Sequence, residues 1–390
     1  MNLFYIIFIV VQILIGIHFF IPFLFYVIGR FSGKQQQVLQ QELEADYAVI
    51  ITAYQQVSQV PYAVDSILKS NYNNYLIYVV ADNCDISGLS FKDDRVIVLR
   101  PEQTLASNTG SHFYAIKRFQ RLHGRLTIID SDNLVHKEYF NELNKIFDGG
   151  YTAIQGVRAA KNLDTTYACL DEAGDIYYRL VDRKLMFEAG SSSALSGSGM
   201  AFTTQLYRSC LENTVISGAG FDKILQYEIL SRGIRIAFAE QAIVYDEKTS
   251  KTDQLVNQRS RWINTWFKYL FLGGRMLFMS LIRFNWNQFL FSTMLLRPPL
   301  FILLMIAFVF FIADLFIWPM FVIFWILGIV MFFLTVFAAL SYFKADSRIY
   351  DSLKNAPKFI YFQILALLKA RKANKISVAT EHFHEEKIDN

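Results

Sequence analysis

The chain has 390 residues, 53% hydrophobic and 18% charged, with a mean hydropathy of +0.27; that is too apolar for an ordinary soluble domain and too charged for membrane spans alone, so a soluble domain tethered by a few spans is expected. The formal net charge is only +4, with no Lys/Arg block dense enough for nucleic acid. Cys84, Cys169 and Cys210 are scattered without C-x-x-C spacing, which points away from a zinc site or a disulfide framework and fits a reducing compartment.

Leu3 to Ile28 is almost uninterruptedly apolar, diluted only by Gln12, Gly16, His18 and Pro22. About 20 such residues cross a bilayer. The start lacks the basic residues and short apolar core of a signal peptide, so residues 3–29 read as a retained anchor. Residues 35–45, rich in Gln and Glu, read as a linker or short helix.

From Tyr47 the pattern becomes α/β. Short apolar runs at 47–51, 76–80, 96–99 and 126–129 have the character of buried parallel strands. Helical segments are expected at 60–70 and 111–122. This alternation predicts a doubly wound, mostly parallel sheet. Ligands of such sheets bind beyond the carboxyl ends of the strands, where Asp82 and Asp130 fall. Next come a helical stretch at 171–188, a small-residue loop from Gly190 to Gly199, a helix at 221–232 and short strands at 234–238 and 242–244.

Residues 257–284 mix aromatics with Lys268 and Arg275 and read as a helix lying in the membrane interface. Two spans follow, 296–316 and 319–343, split by Asp314 and Pro319. Arg297 and Asp314 lie near span ends and read as interfacial, which argues against a transporter. Residues 344–390 form a basic tail. No basic residue precedes the first span, Arg30 and Lys34 follow it, and Lys344, Arg348, Lys354, Lys358, Lys369, Arg371, Lys372 and Lys375 follow the last. The middle region and the tail are therefore expected on the cytoplasmic side of a bacterial-type inner or plasma membrane.

Four clusters carry candidate chemistry. Asp130-Ser131-Asp132-Asn133 ends a strand with two carboxylates one residue apart, suited to sharing a hard divalent cation such as Mg2+ or Mn2+ with phosphate oxygens. The same residues also read as a turn with a helix cap. Asp82 reads either as a turn residue or as an acceptor for a base or ribose. Gly197-Ser198-Gly199 permits close backbone approach to a ligand and equally suits a linker. Asp222 stands at a helix start, as a dipole partner or as a general base for an acceptor hydroxyl. Gln258-Arg259-Ser260-Arg261-Trp262 offers guanidinium groups for phosphate and a ring for a sugar, or a juxtamembrane anchor.

In this order the segments resemble the membrane-bound family-2 glycosyltransferases, the group containing hyaluronan, cellulose and chitin synthases and ceramide glucosyltransferase. The resemblance runs from about Tyr47 to Trp262. It implies a GT-A α/β catalytic domain over residues 45–256, cytoplasmic, with transmembrane helices on both flanks. It assigns Asp82 to the nucleotide base, Asp130 and Asp132 to metal and diphosphate, and Gly197, Ser198 and Gly199 to the acceptor and sugar loop. Asp222 becomes the catalytic base, and Gln258, Arg261 and Trp262 the Q-x-x-R-W signature. Thr52 and Tyr54, at the end of the first strand, join the donor-binding set. Tyr245-Asp246-Glu247 also resembles the segment usually found before that signature.

Three departures stand out. Gln55 and Gln56 replace the usual Asn-Glu pair, Thr109-Gly110 replaces a basic-glycine pair, and Phe221 stands where the first acid of a Glu-Asp pair is usual. The implied activity is inverting transfer of a hexose or N-acetylhexosamine from a nucleotide sugar, expected to be UDP-linked. The acceptor is a growing cell-surface chain or a lipid, at a membrane whose lipids are further partners. Three spans make a thin wall for a polymer, so that product calls for homo-oligomers or export partners. A third reading is a non-catalytic membrane subunit that binds a nucleotide sugar.

Overall fold

The structure is a computed structural model that describes residues 3–32, 45–214, 216 and 218–370. The linker at 35–44 and Arg371, Lys372 and Lys375 lie outside the described residues.

The sheet strands are β1 (Tyr47–Tyr54), β2 (Tyr75–Asp82), β3 (Val96–Leu99), β4 (Arg125–Asp130), β5 (Leu134–Val135), β6 (Ala153–Ala160), β7 (Met200–Thr203) and β8 (Ala237–Asp246). Their order is β3-β2-β1-β4-β7-β6-β8-β5. The first four run parallel, as do β6 and β8. β7 is antiparallel to both β4 and β6, and β5 to β8. The sheet is thus mixed and mostly parallel. β1 and β2 are buried on both faces, which is why their sequences are apolar runs rather than alternations. One face packs on α2 (Val60–Leu68) and α4 (Tyr139–Asp148) through Val64, Ile67, Phe140 and Leu143. The other packs on α3 (Asn108–Ile116), α5 (Thr166–Tyr178), α7 (Thr204–Leu211) and α8 (Phe221–Ser231) through Ala115, Ile176, Tyr207 and Leu225. Each fully buried large aliphatic or aromatic side chain contributes roughly 1.5–3 kcal/mol.

Some elements differ from the sequence expectation. α3 ends at Ile116, and the two strands expected at 234–238 and 242–244 are one continuous β8. The helix expected over 171–188 is α5, a π-helical turn at Arg179–Leu185 and a short α6 (Met186–Glu188).

Around this sheet lie the apolar helices α1 (Leu3–Phe31), α11 (Leu300–Ile317) and α12 (Val322–Tyr342). All three are long and apolar enough to cross a membrane. They meet at a polar triad: Gln12 Nε2 donates to Asp314 (3.2 Å), and Trp325 Nε1 lies 2.8 Å from Gln12 Oε1 and 3.0 Å from Asp314 Oδ2. Asp314 is wholly buried. Asp314 lies in the last turn of α11, and helix packing supplies its donors. Arg297 is buried as well, against Asp182 at 2.6 Å.

The sheet and its packed helices are joined to these apolar helices by α9 (Thr252–Arg283) and α10 (Trp286–Leu296). α9 buries Leu255, Val256, Ile263 and Met276 but exposes Trp262, Phe267, Phe271, Phe278 and Leu281. The segment expected as a plain basic tail is folded in its first half, as α13 (Ser347–Ser352) and α14 (Ala356–Lys369). α14 docks on α9, where Ser260 and Asn264 donate to the carbonyls of Ala366 and Ala370 (3.0 and 2.8 Å).

Candidate active site

Parallel pairing aligns the carboxyl ends of three neighbouring strands. Thr52 lies opposite Asp130 and Tyr54 opposite Asp82. Beyond Asp130 the chain turns through Ser131 and the buried Asp132, with the Asn133 amide N–H returning to the Asp130 carbonyl at 3.1 Å. Ser198 fixes this turn from a distant loop. Its hydroxyl accepts from the Asp130 N–H (3.0 Å) and donates to Asn133 Oδ1 (2.6 Å). Ser198 is wholly buried, so its hydroxyl positions the acidic turn.

Gly199 beside it bridges two strands, donating to the Ile128 carbonyl (2.9 Å) and accepting from the Gly156 N–H (2.8 Å). Its φ is +64°, and a Cβ there would lie 2.9 Å from Val244. Glycine is required on both counts. Gln155 completes the clamp, with its side chain accepting from Ser196 N–H (2.9 Å) and donating to the Ser198 carbonyl (3.1 Å).

Asp82 is buried, and both its oxygens are engaged: Leu105 and Ala106 donate their N–H groups at 2.9 and 2.7 Å. Its carboxylate therefore shapes the loop that precedes α3. Gln55, in a left-handed conformation with φ 62°, reaches the Tyr54 hydroxyl at 3.4 Å.

Behind the acidic turn lies a buried charge cluster that the sequence did not announce. Arg158 at the end of β6 pairs with Asp246 at the end of β8 (2.7 Å) and donates to the Ser196 carbonyl (2.7 Å). Lys248 reaches Asp175, Glu172 and Asp246 at 2.5, 3.1 and 3.3 Å. Burial alone would raise the Asp246 carboxyl, but Arg158 and Lys248 override it and hold the group far below the usual carboxylate range. Burial likewise opposes the Arg158 charge, and Asp246, Asp130 and Asp175 more than restore it. Asp130 therefore sits within the field of a fixed cation.

Asp222 opens α8, preceded by Gly220 at φ +97°. A Cβ on Gly220 would lie 2.6 Å from both Thr265 and Tyr269, so the start of α8 is pressed against α9. Gln226 shares a helix face with Asp222, four residues on. Its side chain accepts from the Leu195 N–H at 3.2 Å. α8 thus lies over the loop that leads to Gly197 and Ser198. Phe221, at the position of the missing acid, is buried with its ring 5.2 Å from His112.

On α9, Gln258 accepts from Thr249 Oγ1 (3.2 Å), Thr265 donates to the Arg261 carbonyl (2.8 Å), and Trp262 is 43% exposed. Arg259 stacks on the Trp262 ring at 4.3 Å and pairs with Asp171. Burial pulls the Arg261 guanidinium below its ordinary value. These contacts gather Thr52, Tyr54, Asp82, Asp130, Asp132, Ser198 and Gly199 at one sheet edge. α8, which carries Asp222, reaches that edge through Gln226 and Leu195, and its start packs on α9 at Thr265 and Tyr269.

The acidic turn suits a divalent cation. Its donors are hard carboxylate oxygens on a braced backbone. Among the described residues no group of three or more His, Cys, Asp or Glu side chains could hold a metal alone. That donor set is the one Mg2+ or Mn2+ uses when substrate phosphates and water complete the shell.

A mostly parallel α/β sheet with this acidic turn at a strand end defines a GT-A glycosyltransferase. The family model described as glycosyltransferase like family 2 matches residues 45–265, more than half of the chain, and the chain belongs to that family. It is a transferase of the class that uses nucleotide sugars. Among solved structures it is similar to the mannosyltransferase PcManGT from Pyrobaculum calidifontis in complex with GDP-Man and Mn2+. The identity is 13% and the TM-score 0.55, over 92% of this chain and 97% of that one. S. aureus TarS matches at 15% identity and TM-score 0.39, over 60% of this chain and 40% of that one. No curated protein sequence matches this chain.

Proposed function

We propose that this protein transfers a sugar from a nucleotide donor to a membrane lipid acceptor, with inversion. The braced acidic turn carries the reading: Ser198, from a loop 65 residues on in sequence, holds Asp130 and Asn133 in one geometry. Asp130 and Asp132 would hold Mn2+ or Mg2+ together with the donor diphosphate, and the neighbour's GDP-Man and Mn2+ support that assignment. When bound, the metal neutralises charge developing on the departing diphosphate.

The chain's own residues do the rest. Thr52, Tyr54 and the loop held by Asp82 line the nucleotide. Gly197 and Gly199 let backbone approach the sugar. Asp222 takes the proton from the acceptor hydroxyl as that oxygen attacks the anomeric carbon. Gln258, Arg261 and Trp262 close over the diphosphate and sugar. The exposed aromatic face of α9 lies in the membrane interface, with the catalytic domain on the cytoplasmic side.

Between the two acceptors that the sequence raises, the packing of α1, α11 and α12 favours a lipid. Phe19, Leu303, Ala307, Trp325 and Phe332 fill the bundle together with Tyr177 and Val181 of the catalytic side. A growing polymer would need a passage elsewhere.

The test is transfer by the purified full-length chain in lipid, from a panel of radiolabelled UDP- and GDP-sugars with Mn2+ or Mg2+, followed by product sizing. One labelled glycolipid is expected. A ladder of chain lengths would replace the lipid reading with chain extension. Binding of donor with neither transfer nor hydrolysis would leave a non-catalytic binder. Asp222→Asn should lower kcat about a hundredfold or more while leaving donor KM within twofold; full transfer would remove Asp222 from the base role.

A further inference from the structure

The turn of α9 that carries Gln258, Arg261 and Trp262 is backed by two elements with no other part in the site, α5 and α14. Leu255 of α9 packs with Leu170 of α5 and Phe359 of α14. Val256 and Ile263, on the neighbouring stripe of α9, pack with Ala366 and Ala370. Ser260 and Asn264 fix the register by donating to the carbonyls of those same two alanines. α14 follows the last apolar helix, so the far end of the chain is what the turn rests on.

Inside this contact sits one charged group that the transfer itself does not use, Arg259. Its side chain is 12% exposed, and that of its partner Asp171 only 5%. The guanidinium pairs with Asp171 while its carbon lies 4.3 Å from the centroid of the Trp262 ring and 5.9 Å from that of Phe359. Three helices thus meet at one side chain: α5 supplies the carboxylate, α9 the indole and α14 the phenyl ring. A planar guanidinium can donate to a carboxylate through its edge and stack on an aromatic ring through its face. An ammonium is a point charge on a flexible stem and cannot hold both partners in that way. A buried ion pair contributes little stability beyond apolar packing of the same volume; what it adds here is a fixed geometry. Arg259 and Trp262 are three residues apart and share a helix face, so a guanidinium held by Asp171 fixes the ring beside it. Trp262 keeps 43% of its surface exposed, in a ring already held on one side.

We propose that Arg259 is a positioning residue for Trp262. Gripped by Asp171 and backed by Phe359, it sets the plane in which the indole meets the sugar. This rests on the glycosyl-transfer reading above and deepens it by naming what aims the ring of the Gln258–Trp262 segment.

The test uses the full-length chain in lipid and compares wild type with Arg259→Lys, each also in a Trp262→Leu background. The chain has five tryptophans, so the emission of Trp262 is read as the difference between each protein and its Trp262→Leu counterpart. In Arg259→Lys that difference emission should shift to the red and be quenched by acrylamide at least twofold more strongly. kcat should fall about five- to tenfold, while binding of UDP or GDP with Mn2+ stays within threefold, which also reports a folded protein. With Leu at position 262 the same Arg259→Lys change should alter kcat less than twofold, because no ring is left to aim. An equal loss in both backgrounds would overturn the proposal, since Arg259 would then act on the fold at large. Unchanged emission and quenching of Trp262 in Arg259→Lys would overturn it as well. If Arg259→Lys fails to fold, the double variant Asp171→Asn with Arg259→Gln removes both charges together, and the same loosening of Trp262 is expected; a ring as protected as in wild type would sink the clamp. A chain that transfers no sugar, yet whose Trp262 loosens in Arg259→Lys, would end the glycosyl-transfer reading and leave the clamp standing.

Discussion

Ser198 is the residue on which the acidic turn depends, because one hydroxyl satisfies both the Asp130 N–H and the Asn133 side chain. Removing it leaves two polar groups without a partner in a wholly buried place. Ser198→Ala should therefore lower stability by about 1–3 kcal/mol, read as a drop in melting temperature. It should also weaken metal-dependent nucleoside diphosphate binding several-fold while leaving metal-free binding nearly unchanged. An equal loss with and without metal would show that the hydroxyl does not act through the turn. Asp82 teaches a related point. Its two carboxylate oxygens each accept one backbone N–H, from Leu105 and Ala106, so the residue expected to meet the base also shapes the loop before α3.

At the scale of elements, the start of α8 and the middle of α9 are one mechanical unit, locked by the absence of a side chain at Gly220. Gly220→Ala forces a methyl to within 2.6 Å of Thr265 and Tyr269 and removes the residue that tolerates φ +97°. The expected result is a kcat reduced tenfold or more with donor binding intact, because Asp222 moves and the donor edge does not. A loss confined to donor affinity would contradict that division. The apolar helices α1, α11 and α12 are a second unit. Asp314→Leu and Gln12→Leu each break the Gln12–Asp314–Trp325 triad, at roughly 0.6–1.7 kcal/mol. The double variant should destabilise by less than the sum of the two, as a shared network requires.

Much of the element order was legible in the sequence. A buried parallel strand is an apolar run that turns polar once, at its carboxyl end, and Asp82 and Asp130 stand at that switch. What stayed hidden is held by partners far apart in the chain. Asn133 meets Asp246 across 113 residues. Nothing local in Arg179–Leu185 separates a π-turn from a continuing helix, and the partners of Asp314 come from two other helices.

At the scale of the whole molecule, two sets of buried groups tie folding to pH in separate windows. Asp246 has a depressed folded pKa, as does Asp175, where Lys248 and Arg158 outweigh burial. Their contribution is present above an unfolded value near 3.9 and is lost as pH falls below it. His112 acts in a higher window. It is buried, its Nδ1 is 2.6 Å from the Tyr207 hydroxyl, and burial lowers its pKa to about 3. The folded state therefore refuses a proton that the unfolded chain accepts below about 6.5. Stability is complete above that value and declines as pH falls, by at most about 1.4 kcal/mol per pH unit. The melting temperature should drop steadily between pH 6.5 and 4.5, before the carboxylates begin to contribute. His112→Gln, which titrates in neither state, should be less stable at pH 7.5, where it loses a well-packed ring, yet show a shallower decline on acidification. Parallel profiles for the two proteins would mean that the proton is taken up elsewhere. Because the His112 ring lies against Phe221, next to Asp222, the same acid titration followed by transfer activity should show kcat falling ahead of global unfolding, and His112→Gln should bring the two curves together.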